Sequence, residues 1–458
     1  MIDALVDAGV DVVRLNLSHG TIDEHLERLE RIRRSSERAG RHVGVLADLP
    51  GPKIRAGAFP DGGVVLEPGH RLELLTGEQP SSLHRVVVDV ADAVSSLAVA
   101  DRVVVGDGTV MMEVVEVNGD SAVAEVVTGG RVQGSPGVHF PSERVSAATP
   151  TSEDVALAEV MAAAGVDFIA VSFVRRASDM RAVREVVGDR ARLVAKIETS
   201  SALGSLSEIL AASDAVMVAR GDLGIDCPLE EVPHLQKRII RECVERGVPV
   251  ITATQMLESM IDAAVPTRAE VSDVANAVFD GTDAVMLSGE TAVGRDPVGV
   301  VTTMARIAAR AEAQASYRGW ADRLGRTQRN DWASFGDRIT AALGHAASQA
   351  ARDIDAAAIL CCTRSGRTAR AMARFRPEAR LIGLSPDLRV VRGLSLSWGI
   401  DPVVVDTYTS TDEMVWHAVE TAVQLERIEH GDTVIVLAGA PDGGSDAAAD
   451  VLRVVRVA

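Results

Sequence analysis

Short runs of Val, Ile, Leu and Ala recur along the chain, each closed by a polar cluster and followed by a helical pattern. Seven of them can be read off, at residues 11–20 (DVVRLNLSHG), 42–51 (HVGVLADLPG), 167–174 (DFIAVSFV), 192–198 (RLVAKIE), 215–224 (AVMVARGDLG), 249–255 (PVITATQ) and 284–290 (AVMLSGE). Near-continuous apolar runs of this length are expected of parallel strands buried on both faces. Helices fill the gaps. After the first run, Thr21 with Glu24 forms a capping box, Ile22, Leu26, Leu29 and Ile32 make an apolar stripe, and Gly40 ends the helix. The repeat predicts an α/β fold, a (β/α)8 TIM barrel, in which functional groups gather at the C-terminal strand ends. Closure of such a barrel takes eight strands, so the first barrel strand is expected to be absent from this chain and to precede Met1.

Two stretches break the pattern. Residues 54–145 are rich in Val and Gly and carry hairpin turns at Asp107-Gly108 and Asn118-Gly119. They predict an all-β lid domain inserted at the catalytic face, dividing the barrel into residues 1–53 and 146–316. A polar stretch from Tyr317 to Trp332 then opens a C-terminal α/β domain, residues 317–458, with a helix over 337–351, a strand over 356–362, a helix over 368–375, strands RLIGLSP and DPVVVD, and a final TVIVLAGA with VLRVVRV.

Composition narrows the partners. A formal net charge of -18 disfavours nucleic acid, because polyanions are repelled. No apolar run approaches the roughly 18 residues of a membrane span, and the acidic N-terminal segment is not a signal or transit peptide. The four cysteines, Cys227, Cys243, Cys361 and Cys362, show no C-x-x-C spacing, so a reducing cytoplasm is the expected location. Of the 47 basic residues only Lys53, Lys196 and Lys237 are lysine. A lysine kept in so arginine-rich a chain marks a place where a compact ammonium is needed and a planar guanidinium does not fit.

The candidate chemistry lies at the strand ends. Lys196 and Glu198, two residues apart on one strand, project to one side, and Asp222 at the end of the next can complete a two-carboxylate Mg2+ site. Glycines beside Asp222 let backbone N–H groups approach an anion. Arg14, Asn16 and Ser18 share a face suited to phosphate and cation oxygens. Asp48 and Arg55 flank the Pro50-Gly51-Pro52 turn, and Thr254 ends a strand where a hydroxyl can relay a proton. In the third region Thr363, Arg364, Ser365, Gly366, Arg367 and Thr368 follow a strand and open a helix, an arrangement suited to an anion.

The segments RLNLSHG, ADLPGPKIR, DFIAVSFVRR, KIE, VMVARGDLG, TATQMLESM, PTRAEVSDVANAVFDGTDAVMLSGET and TRSGRTARAMARFRP resemble the pyruvate kinase family from Arg14 to Pro377. The resemblance implies a barrel, a β lid and a C-terminal regulatory domain, with Mg2+-dependent transfer of a phosphoryl group from phosphoenolpyruvate to ADP. It implies that Glu198 and Asp222 hold Mg2+, Lys196 stabilises the phosphoryl in flight, Arg14 and Arg55 hold phosphates, and Asn16, His19 and Arg55 face the nucleotide. Gly221 and Asp222 N–H groups with Thr254 would bind the carboxylate, Thr254 also lying on the route that protonates the enolate. Asn16, Ser18, Asp48 and the Leu49 carbonyl match a monovalent-cation site, and residues 363–368 match the site of a phosphorylated effector. A later effector loop, PDGGSDAAAD, departs from the family's Gly and Thr-Asn pattern, and the expected assembly is a homotetramer. Potassium-dependent members carry D-T-K-G-P-E where this chain reads Asp48-Leu49-Pro50-Gly51-Pro52-Lys53, so Lys53 is expected to stand in for the cation and K+ not to be required. Two other readings are an inactive or regulatory relative lacking the first barrel strand and another Mg2+-dependent, enolate-forming barrel enzyme. The lid and third domain count against the latter.

Overall fold

The structure, a computed structural model, describes residues 1–458 apart from 53, 91, 107, 143, 145–147, 316, 328–334, 409 and 440–448. Lys53, Asp107 and most of the PDGGSDAAAD loop therefore lie outside the described residues. The seven apolar runs all become parallel strands of one sheet, in the order Val12–Asn16, Gly44–Asp48, Phe168–Val171, Arg192–Ile197, Ala215–Ala219, Val250–Ala253 and Ala284–Val285. Among the described residues no strand pairing joins Val12–Asn16 to Ala284–Val285. The helices between strands pack outside. The first long one, Ile22–Arg38, begins with the expected capping box, Glu24 N–H donating to Thr21 Oγ1 (3.4 Å) and Thr21 N–H to Glu24 Oε2 (3.2 Å), and buries Leu29 and Ile32.

The residues after Asp48 leave the barrel through the Pro50-Gly51-Pro52 turn. Gly51 has φ +71°, and a Cβ there would sit 2.7 Å from the Ser172 Cβ, so only glycine lets the turn lie this close to the third strand's end. Beyond it a six-stranded sheet, with a short two-stranded one beside it, encloses its own apolar core around Leu66, Leu74, Val86, Val103, Met112 and Val126. The C-terminal sheet has five strands, ordered Ile400–Val404, Arg380–Ser385, Ala358–Cys362, Thr433–Gly439 and Ala449–Arg456, the last antiparallel to its neighbour.

The polar stretch after residue 316 proves to be partly helical, Tyr317–Thr327. Its Ala321 and Leu324 are buried, and the Trp320 indole N–H donates to the Arg374 carbonyl (2.9 Å). Amphipathic spacing of Trp320, Ala321 and Leu324 carried that signal beneath the polar composition.

The third domain closes the N-terminal end of the barrel. Leu396, 3% exposed, joins Leu46, Phe168, Val194, Met217 and Ile251 in the cluster that fills the barrel interior. Beside it Arg376, only 2% exposed, pairs with Asp283 (3.2 Å) and donates to the carbonyls of Gly281 and Thr282. Its guanidinium also lies over the Trp398 ring at 4.9 Å. Breaking a buried pair from one side leaves its partner's charge poorly compensated. Arg376→Ala should therefore destabilise the protein by about 3–5 kcal/mol, read as a lowered thermal midpoint, and an unchanged midpoint would show that the junction carries no stability.

Candidate active site

The strand ends converge on one cavity of about 780 Å³, lined from the barrel by Arg14, Asn16, Ser18, Asp48, Lys196 and Asp222, and from the lid side by Arg55, Arg102 and His139. Glu198, Leu49 and His19 also line it. At its floor the Lys196 ammonium sits 2.9 Å from Glu198 Oε1 and 3.1 Å from Asp48 Oδ1, and donates to Ser172 Oγ (2.7 Å). Asp48 Oδ2 in turn accepts from Arg14 Nε (2.6 Å). Ser172 Oγ donates to the Leu49 carbonyl (2.8 Å), and Glu198 Oε2 accepts from the Phe173 N–H (2.6 Å).

These contacts set the charges. Burial alone would raise the Asp48 carboxyl, but Lys196 and Arg14 outweigh it and hold the group below its ordinary range. Burial would likewise strip the Lys196 proton, yet Asp48 and Glu198 hold it on, above the usual lysine range. Glu198 goes the other way. Burial, joined by the charge of Asp222, pushes its carboxyl above the ordinary value against the pull of Lys196. Glu198 is short of positive charge, and with Asp222 it offers hard oxygen donors, the set that suits Mg2+ held by one or two carboxylates and by substrate phosphate.

Asn16 and Ser18 are locked together, the Ser18 N–H donating to Asn16 Oδ1 (3.2 Å). Gly221 adjoins Asp222, which lines the cavity, and Thr254 packs against Gly221. They bond to each other, Gly221 N–H donating to Thr254 Oγ1 (2.8 Å), while the Thr254 hydroxyl donates to the Ala253 carbonyl (2.7 Å). Thr254 and Gln255 both have positive φ, 68° and 53°, backbone that non-glycine residues avoid. Arg220 holds them there, donating to the carbonyls of Ala253 (3.2 Å) and Thr254 (2.6 Å) while pairing with Asp273 (2.7 Å). Arg220 has no distinguishing signal in the sequence, nor do Arg175 and Arg102, which line the cavity. Their arginine identity carried no signal in so arginine-rich a chain.

The residue 363–368 loop lies apart, on the third domain. Thr363 Oγ1 accepts from the Gly366 N–H (2.9 Å), and Gly366, with φ +82°, opens the helix Arg367–Ala373. Arg364 is exposed, Ser365 and Arg367 half-buried, and Thr363 and Thr368 buried.

Two family models match the chain, described as pyruvate kinase, barrel domain, over residues 1–301 and pyruvate kinase, alpha/beta domain, over residues 341–455. Among curated relatives, the pyruvate kinase of Mycobacterium tuberculosis is 41% identical over 446 residues, covering 97% of this chain and 92% of that protein. That of Methylorubrum extorquens is 42% identical over 443 residues, covering 97% and 91%. A solved structure of a pyruvate kinase from Cryptosporidium parvum superposes with a TM-score of 0.90 at 30% identity, covering 100% of this chain and 93% of that one.

The strained charge of Glu198 gives a test of its own. Because the folded-state carboxyl is raised, ionising it costs stability once the pH exceeds the ordinary glutamate value, and removing the like charge at Asp222 relieves that cost. Asp222→Asn should raise the metal-free stability at neutral pH by about 1 kcal/mol, roughly one pKa unit, and abolish the rise in melting temperature on adding Mg2+. A variant that is less stable without metal, or still stabilised by Mg2+, contradicts the assignment.

Proposed function

The chain belongs to the pyruvate kinase family, and on that premise we propose how the residues at the barrel mouth divide the labour of its reaction. The enzyme transfers the phosphoryl group of phosphoenolpyruvate to ADP, giving pyruvate and ATP in glycolysis. The observation that carries the residue assignment is the buried Lys196 ammonium, held between Asp48 and Glu198 and facing the cavity. Phosphoryl transfer through a loose transition state asks the protein for positioning and charge neutralisation rather than covalent chemistry.

In this reading Glu198 and Asp222 would hold a Mg2+ ion, which when bound neutralises developing charge on phosphate oxygens. Lys196 stabilises the phosphoryl in flight, with its ammonium oriented by Ser172 and two carboxylates. Arg14, fixed by Asp48, and Arg55 bind phosphates, and Asn16 and His19 with Arg55 face the nucleotide. The N–H groups of Gly221 and Asp222 with Thr254 receive the substrate carboxylate, Gly221 exchanging its bond to the Thr254 hydroxyl for the substrate. The same hydroxyl then lies on the route by which the enolate gains a proton. Residues Thr363 to Thr368 are assigned to a phosphorylated effector, the assembly to a homotetramer and the location to the cytoplasm. No helix among the described residues is long and apolar enough to cross a membrane.

Asn16, Ser18, Asp48 and the Leu49 carbonyl form the monovalent-cation position of this proposal, in which K+ is not required. The two Asp48 oxygens already face Arg14 and Lys196, so little negative charge is left there for a bound cation to balance.

The basic test is a steady-state assay with phosphoenolpyruvate, ADP and Mg2+, in which pyruvate and ATP should appear together. Lys196→Arg should lower kcat on the order of 10²-fold or more without unfolding the protein, whereas a near-wild-type kcat would remove Lys196 from its role. Titrating KCl at constant ionic strength into buffer free of Na+ and K+ should leave kcat/KM unchanged. A tenfold rise, about 1.4 kcal/mol of transition-state stabilisation, would show that K+ is required after all.

A further inference from the structure

The lid meets the barrel through a carboxylate that the reaction does not use. Asp226 ends the helix Arg220–Asp226, one turn after Asp222. Its Oδ1 accepts from the Ser142 N–H (2.9 Å), and its Oδ2 accepts from the Ser142 hydroxyl (2.8 Å) and the Ser200 N–H (2.6 Å). The two serine hydroxyls lie 3.2 Å apart. Ser142 follows the lid's last strand, Val138–His139, by three residues, and Ser200 follows Glu198 by two. One carboxylate thus collects three donors from the lid's return segment and from the turn beyond Glu198, while its own helix carries Asp222. Charge-assisted bonds of this kind are stronger and more directional than neutral ones.

Asp226, Ser142, Asp222 and Glu198 all line the catalytic cavity, so the junction sits where lid and metal-binding carboxylates must be set relative to each other. We propose that Asp226 is a positioning residue that fastens the returning lid segment to the Glu198 and Asp222 strand ends, so that lid placement and the spacing of the two carboxylates are a single mechanical variable. The proposal rests on the pyruvate kinase reading of the site for its catalytic consequence but not for its structural one. Loosening the fastening lets the lid stand away from the mouth and lets Asp222 drift from Glu198. Metal and substrate binding then weaken before chemistry does, because Lys196 keeps its own partners, Asp48 and Ser172.

Two variants test this. Asp226→Asn keeps the size of the side chain but offers one acceptor oxygen in place of two, and Ser142→Ala removes a single hydroxyl from a half-buried position and spares the fold. In the metal-free, substrate-free protein, hydrogen exchange should quicken in both variants in the peptides spanning Ser142 and Ser200. In the assay, the Mg2+ concentration for half-maximal rate should rise about tenfold in Asp226→Asn, the scale found for partners of metal ligands, with kcat at saturating Mg2+ changed much less. The double variant should be no worse than Asp226→Asn alone, since both remove one connection. Unchanged exchange in both variants overturns the proposal, as does a fall in kcat with the Mg2+ requirement untouched. A wild-type chain without phosphoenolpyruvate-dependent activity would instead defeat the functional reading, leaving the exchange result to decide the fastening by itself.

Discussion

The Lys196 ammonium is the interaction around which the barrel mouth is organised. It is surrounded by groups from three successive strands: Asp48 at the end of one, Ser172 just past the next, and Glu198 beside it on its own. Each of those partners is in turn committed elsewhere, Asp48 to Arg14, Ser172 to the Leu49 carbonyl and Glu198 to the Phe173 N–H. A guanidinium is a planar fork of donors, whereas the three contacts here converge on the single point of an ammonium, which gives the retained lysine a geometric reason. The same ammonium leaves Glu198 only partly compensated once Asp222 is counted, so the site is both cross-linked and electrically unfinished.

The two buried carboxylates beside Lys196 differ in how far their charge is offset. Asp48, with two cations against it, is a satisfied structural charge. Glu198, with one cation and a neighbouring carboxylate, is held in a state that a bound cation would relieve. Two acids within one cavity are thereby set to different tasks by their neighbours alone.

Much of this was legible in the sequence, for a physical reason. Barrel strands buried on both faces must be apolar along their length, so the polar residues that interrupt them at one end, Arg14, Asp48, Lys196 and Glu198, declare themselves against a plain background. The capping box at Thr21 and Glu24 was legible because it is local. What stayed hidden depends on contacts distant in sequence. Nothing about Arg220 in isolation says that it will grip the carbonyls of residues 253 and 254 and hold Thr254 in a left-handed conformation. Asp226 and Ser142 are separated by a stretch of chain with no periodic signal linking them. Tyr317–Thr327 was masked by its charged residues, although the buried side of the helix is apolar.

The position of Leu396 inside the barrel cluster bears on how separable the parts of this protein are. In sequence the catalytic and C-terminal regions look like modules joined by a connector, and such modules are commonly exchanged or deleted whole. Here the second module supplies a side chain to the interior packing of the first. Cutting the chain at the connector would therefore excise part of a core rather than trim an appendage, and a donor domain grafted in its place would have to present a leucine-sized plug at the same point. The two regions share one core.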